Sequence, residues 1–193
     1  MPWEKSFDTE RTLTKAMEAF WARGYEATSM QDLVDCMGIG RGSLYATFGD
    51  KRSLFIQALR LYDHRHRRDW TERLAELPSG KSAILAAYDG VIASVLDGGC
   101  RNGCLLMNTA LEMSPQDDEI GEIVSQCLVH MEMFFFEQLE RGKADGEIPV
   151  DLASDETAKT LLALLVSLRV FARARPEPDL LRAISSSAEA VIS

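Results

Sequence analysis

The stretch from Thr28 to Phe55, TSMQDLVDCMGIGRGSLYATFGDKRSLF, constrains the fold more than any other part of the chain. Ser29 followed by Asp32 is a capping-box start, in which the serine hydroxyl accepts from the Asp32 amide and opens a helix. Leu33 and Val34 give that helix an apolar edge. Gly38 closes it, because the position after a helix favours a residue that tolerates positive φ, and Ile39 plugs the turn. A second short helix is expected from Arg41 to Thr47, with Leu44 and Phe48 four apart on its buried face. Arg41, Gly42, Ser43 and Tyr45 then point outward. Two short helices, a glycine turn and a polar outer face on the second form the pattern of a DNA-binding helix-turn-helix.

The rest of the chain reads as helix throughout. Leu13, Ala16, Met17, Phe20 and Trp21 make the core stripe of an amphipathic helix ending at Gly24. Asp50 caps a longer helix, with Leu54, Phe55, Ala58, Leu61 and Tyr62 on its stripe, that runs to about Leu77. Pro78-Ser79-Gly80 breaks the chain. Helices are expected from Ser82 to Leu96 and from Leu105 to Met113. A long one restarts at Pro115 and is ended by Gly142 and Asp145–Pro149. Leu161 to Phe171 is apolar almost all round, which predicts burial on more than one side. After Pro176 and Pro178, Leu180, Leu181, Ile184, Ala188, Val191 and Ile192 form a last stripe. No strand-like alternation appears, so the plan is all-α with about nine helices.

Charge is divided unevenly. The net charge of −9 looks wrong for a DNA binder, but residues 1–73 carry 12 Lys/Arg against 11 Asp/Glu, while residues 74–193 carry 9 against 19. Acidity belongs to the C-terminal part, and DNA binding is expected to rest on a few placed cations, with basic runs at Lys51-Arg52 and at Arg65, Arg67 and Arg68. The longest apolar run, Leu161 to Val166, is too short to span a bilayer, and no signal peptide is visible. Four cysteines without a framework pattern fit a reducing compartment. The expectation is a soluble cytoplasmic protein. No close Cys/His spacing points to a metal, and no cofactor is implied.

The segment also resembles a known family. Ala19-Phe20, Gly24-Tyr25, Thr28-Ser29, Leu33-Val34, Gly38-Ile39, Ser43-Leu44-Tyr45, Phe48 and Lys51-x-x-Leu54 match the N-terminal domain of the tetracycline-repressor (TetR) family of bacterial transcriptional regulators. The resemblance implies a three-helix DNA-binding domain over residues 1–50. A ligand-binding and dimerisation domain would occupy 51–193, joined to it by the helix 51–77. It also implies a non-enzymatic regulator that binds double-stranded operator DNA as a homodimer and is released by a small-molecule inducer. The final two helices of each subunit would form the dimer interface. The DNA-contacting set is then Thr28, Arg41, Gly42, Ser43, Tyr45, Thr47 and Lys51. Arg41 suits guanine or phosphate; Tyr45, Lys51 and Thr28 match phosphate-contacting positions. Two residues depart from the pattern. Gly40 replaces the usual Ser or Thr cap, and Thr47 replaces a frequent aromatic or His.

For the inducer pocket the candidates are Tyr88, Cys104, Met107, Met113, His130, Met131 and Phe135, because soft Met side chains and aromatics suit an apolar ligand. Cys104 falls at the start of the sixth helix, near Arg101, where the helix dipole favours a thiolate. An alternative is therefore a thiol-based electrophile or oxidant sensor, with Cys100 as resolving thiol. Cys104 should then react faster than Cys36 and Cys127, which are expected on apolar faces. A helical adaptor without DNA binding, and a thiol enzyme pairing Cys104 with His130, are the remaining readings.

Overall fold

The computed structural model describes residues 7–97 and 102–193, and every regular element among them is helical. The first three helices are α1 (Thr9–Arg23), α2 (Met30–Met37) and α3 (Arg41–Phe48). A long rod, α4, begins at Lys51–Tyr62, widens into a π-helical stretch over Asp63–Arg68 and regains α geometry over Asp69–Ala75. Then come α5 (Gly80–Leu96), α6 (Leu105–Glu112), α7 (Asp118–Ala144), α8 (Ser154–Ala174) and α9 (Pro178–Ala190). With the rod taken as one element, the described residues form nine helices, as the periodicity predicts. No helix among them is long and apolar enough to cross a membrane.

Local chemistry sets the ends. The Asp32 amide donates to Ser29 Oγ at 3.1 Å while the Ser29 amide donates to the Asp32 carboxylate at 2.9 Å, the expected reciprocal cap. Gly38 takes φ 71°, ψ 30°, the left-handed conformation that lets the chain reverse into α3. Asp50 accepts the Ser53 amide at 2.7 Å and opens α4. Three boundaries differ from the sequence reading. Ser79 and Ser82 form a second capping box, so α5 starts at Gly80 rather than at Ser82. α7 begins not at Pro115 but after Asp117, whose carboxylate accepts the Ile120 amide at 3.1 Å. Gly142 does not end α7, which continues to Ala144.

Two apolar cores result. The first gathers Phe20, Leu33, Leu44, Phe48 and Phe55 from α1–α4, and it also takes Leu105 and Leu106 from α6, Met113 after it, and Ile120 and Cys127 from α7. Each fully buried side chain of this size contributes about 1.5–3 kcal/mol. The second core joins α5, α7, α8 and α9 around Tyr88, Phe135, Leu139, Leu161 and Leu168. Within it the Tyr88 hydroxyl donates to the Leu161 carbonyl at 2.6 Å.

α5 crosses α7 at very close range. A Cβ on Gly80 would lie 2.0 Å from the Gln138 carbonyl oxygen and 2.6 Å from the Gly142 amide nitrogen, both rigid backbone. Beside this crossing the Arg141 guanidinium donates to the carbonyls of Ala75, Leu77 and Pro78 at 2.8, 2.8 and 3.0 Å, satisfying the otherwise open end of α4. Gly80→Ala should therefore destabilise the protein by about 2–3 kcal/mol. Exposed Gly90 on the same helix would meet only Trp70 Nε1, at 3.9 Å. Gly90→Ala should be neutral, or stabilising by up to about 1 kcal/mol. Denaturant unfolding of the two variants measures the contrast.

Candidate nucleic-acid interface and adjoining cavity

The outer face of α3 is presented as the spacing predicts. Leu44 and Phe48 are 0% and 2% exposed and hold the helix to the first core. Arg41, Gly42, Ser43, Tyr45 and Ala46 are exposed, and Thr47 is half-buried. Gly40 gives α3 no side-chain cap, so its first amides remain open toward whatever the helix start approaches. Lys51 Nζ stands 4.3 Å from the Tyr25 ring centroid, a cation–π contact that aims the ammonium from the first turn of α4. Thr28 is different. It is wholly buried, and its hydroxyl donates to the Gly24 carbonyl at 2.6 Å. That side chain secures the turn before α2 and does not present its hydroxyl outward.

Three of the five residues in the basic runs, Arg52, Arg65 and Arg67, are engaged. Arg52 forks onto Asp117 at 2.5 and 2.9 Å and reaches Glu119 at 2.9 Å. This ties the start of α4 to the start of α7. The arginine holds the Asp117 carboxyl down to about 2, so the pair is fully formed above the usual carboxylate range and is lost only as pH falls toward that value. Arg65 pairs with Glu10, and Arg67 with Asp63. A second tie comes from α6, where the Glu112 carboxylate accepts the amides of Tyr25 and Glu26 at 3.1 and 2.8 Å. Trp21 Nε1 donates to the Gly103 carbonyl at 2.9 Å, a third. The reading unit is thus held by α6 and α7 through both charge and packing.

Behind this joint lies a partly open cavity with about 50 Å³ of internal space, between α4, α6, α7 and α8. Tyr62, His66 and Trp70 line it from successive turns of α4, Cys104, Leu106 and Met107 from around α6, Leu128 and Met131 from α7, and Leu162, Val166 and Arg169 from α8. The Tyr62 and His66 rings stack with centroids 4.6 Å apart, and Trp21 of α1 packs against both, at 5.1 and 5.2 Å. The cavity wall and the reading unit therefore share side chains. Partial burial, then Arg65 and Arg169, pushes the His66 imidazole below its ordinary value. No group of three or more His, Cys, Asp or Glu among the described residues is placed to hold a metal ion.

Comparison with known proteins fits this two-part geometry. A family model described as "Bacterial regulatory proteins, tetR family" matches residues 13–58. A second, "Tetracyclin repressor-like, C-terminal domain", matches residues 80–187. The chain belongs to the tetR family of transcriptional regulators. The "Uncharacterized HTH-type transcriptional regulator YezE" of Bacillus subtilis (strain 168) is 36% identical over 144 residues, 75% of this chain and 74% of that protein. The "HTH-type transcriptional repressor ComR" of Escherichia coli (strain K12) is 31% identical over 170 residues, 88% of this chain and 81% of its own. A solved structure of the tetR-family regulator CifR, a cysteine mutant complexed with a 26-base-pair double-strand operator DNA, is 30% identical with a TM-score of 0.86. That match covers 98% of this chain and 99% of the CifR chain.

Of the pocket candidates read from sequence, this tetR-family fold brings together only Cys104, Met107 and Met131. Tyr88 and Phe135 are wholly buried in the second core, and Met113 belongs to the first. His130 lies exposed on the outer side of α7. Tyr88, Phe135 and Met113 lie elsewhere because the apolar stripe of a helix serves its own core before it serves a cavity, and His130 lies on the opposite, solvent-facing side. The residues missed were Tyr62, His66, Trp70 and Arg169. Their signal was available in the four-residue spacing of three rings on α4, and in the single charge inside the apolar run of α8. Cys104 is buried at the start of α6, and Cys127 donates to Asp63, with burial first and that carboxylate second pushing its thiol to about 12. Cys36, against expectation, is exposed, its sulfur tucked against the Leu33 carbonyl. Cys100 and Arg101 lie outside the described residues.

The position of Thr28 yields a test. Thr28→Val keeps the shape and removes the bond to Gly24, so stability should fall by about 1–2 kcal/mol. The slope of DNA affinity against salt should be unchanged, because no phosphate contact is lost. Denaturation and salt-dependent DNA titration measure the two quantities.

Proposed function

We infer that this regulator is a homodimeric repressor that binds operator DNA through α3 and leaves it when a small molecule fills the cavity behind α4. The observation that carries the reading is the two-sided character of α3. Its large aliphatic and phenyl side chains, Leu44 and Phe48, are buried, while Arg41, Ser43 and Tyr45 stand exposed together beside Lys51. A recognition helix that enters the major groove by its N-terminal end needs this arrangement. Arg41 supplies a planar fork for a guanine edge, Gly42 allows close approach, Ser43 and Thr47 reach base or phosphate, and Tyr45 and Lys51 hold the backbone. With Arg52, Arg65 and Arg67 engaged inside the subunit, these residues carry the DNA contacts.

Dimerisation is proposed through α8 and α9. α8 turns Leu161, Leu165 and Leu168 into its own core and leaves Val170 and Phe171 42% and 37% exposed, apolar surface that a second copy would cover. Release follows from the joint. A ligand against Tyr62, His66 and Met107 presses on α4 and α6, and Glu112 passes a shift of α6 to the backbone of Tyr25 and Glu26. A few kcal/mol between two arrangements suffices. A thiol-reactive inducer is a second reading, favoured by the place of Cys104 in the cavity wall beside Tyr62. Such a reagent must enter the cavity to reach that sulfur.

Arg41→Ala should weaken operator binding by about 1–3 kcal/mol per half-site and relax base preference. Lys51→Ala should weaken specific and non-specific binding alike and lower the salt slope by about 1 per subunit. Mobility-shift titrations on the DNA flanking the gene test both, and wild-type affinity in both variants would refute the interface. Phe171→Asp should return a monomer mass in light scattering at micromolar concentration, because the charge would be buried unpaired in the dimer.

A further inference from the structure

We propose that the ligand of the cavity is a small organic anion with a flat, apolar or aromatic body, and that Arg169 is its counter-ion; this rests on the cavity being the effector site. Arg169 is the side chain where three openings meet. It lines the main cavity, the groove toward α1 and α6, and the opening toward α5. It is half-buried, and among the described residues no carboxylate lies within ion-pair distance of it and none of its donors has a hydrogen-bond partner. The other arginine of the main cavity, Arg67, is already held by Asp63.

The surroundings give the same sign. No Asp or Glu lines the main cavity or the opening toward α5, and the latter adds Arg73 beside Arg65, which is paired with Glu10. In the groove toward α1 the one carboxylate, Glu112, is occupied by two backbone amides. Arg169 thus brings a positive charge from the acidic C-terminal part of the chain into a cavity whose lining holds no acid. A partly desolvated guanidinium without an acid beside it favours an anionic guest over a neutral one. Shape sets the rest of the class. The Arg169 guanidinium lies 5.2 Å from the Trp70 ring centroid, and the stacked Tyr62 and His66 rings continue that wall. Leu128, Met131 and Leu162 face them with apolar surface. A carboxylate or sulfonate on one or two rings satisfies the charge at one end and the aromatic wall along its length, with the open mouth taking what the interior does not hold.

Two fluorescent probes of matched ring size separate charge from shape: anilinonaphthalene sulfonate, an anion, and phenylnaphthylamine, which is neutral. Titrated into the full-length protein, the sulfonate should bind about tenfold tighter or more. Arg169→Gln should remove that preference and leave the neutral probe unchanged, and Arg169→Lys should restore part of it. Met107→Trp, which fills the cavity, should exclude both probes, and light scattering checks that each variant keeps the wild-type mass. Equal affinity of the two probes for the wild type, or a sulfonate preference that survives Arg169→Gln, overturns the anion assignment while leaving the cavity as a ligand site. Binding of neither probe, or binding of both to Met107→Trp, overturns the cavity reading and the assignment with it.

Discussion

The arrangement depends on one constraint: the three reading helices do not bury their own apolar surface. α1 to α3 and the start of α4 leave an open face that Leu105, Leu106, Met113 and Ile120 cover. Closing a core with residues about eighty positions away costs chain entropy, and dense contact offsets it. Once α6 serves as that wall, its position is no longer independent of the recognition helix. Glu112 and Arg52 then fix the angle between the parts, because charge-assisted bonds are directional where apolar packing is not.

The same constraint explains the use of charge. A neutral N-terminal part and an acidic remainder suggest weak attraction to DNA. The structure sharpens the point, since three arginines from the basic runs face carboxylates within the subunit. Arg68 and Arg11 remain exposed elsewhere, and the outward set beside the recognition helix is small, on α3 and at the start of α4. Such a surface relies on fit and bidentate pairing rather than on a broad field, so its affinity should be strongly tied to sequence. Acidity of the C-terminal part keeps that part away from phosphate. The exception is Arg169, which lines a cavity without an acid among its walls.

The sequence made the helix count, the helix-turn-helix and its caps legible, because each is local: a Ser29–Asp32 box, a left-handed Gly38 and a four-residue apolar spacing need no distant partner. Gly142 shows the limit. It reads as a stop, yet it sits inside α7 because Gly80 and Ile148 press against it. Thr28 reads as a surface hydroxyl and is instead consumed by a carbonyl four residues earlier. The cavity was the least legible part. Its walls come from four helices, and whether Met131 lines space while Phe135, one turn on, fills a core depends on how α7 lies against α8. No periodicity carries that information.

The central claim is that the reading unit and α6 form one structural body. Native-state hydrogen exchange across a denaturant series, read by mass spectrometry on peptides from α1 and from α6, measures it directly. If α6 completes the first core, amides of Thr9–Arg23 and Leu105–Glu112 open together, with the same free energy and the same denaturant dependence. Opening of α1 at distinctly lower free energy, with α6 still protected, would contradict the account.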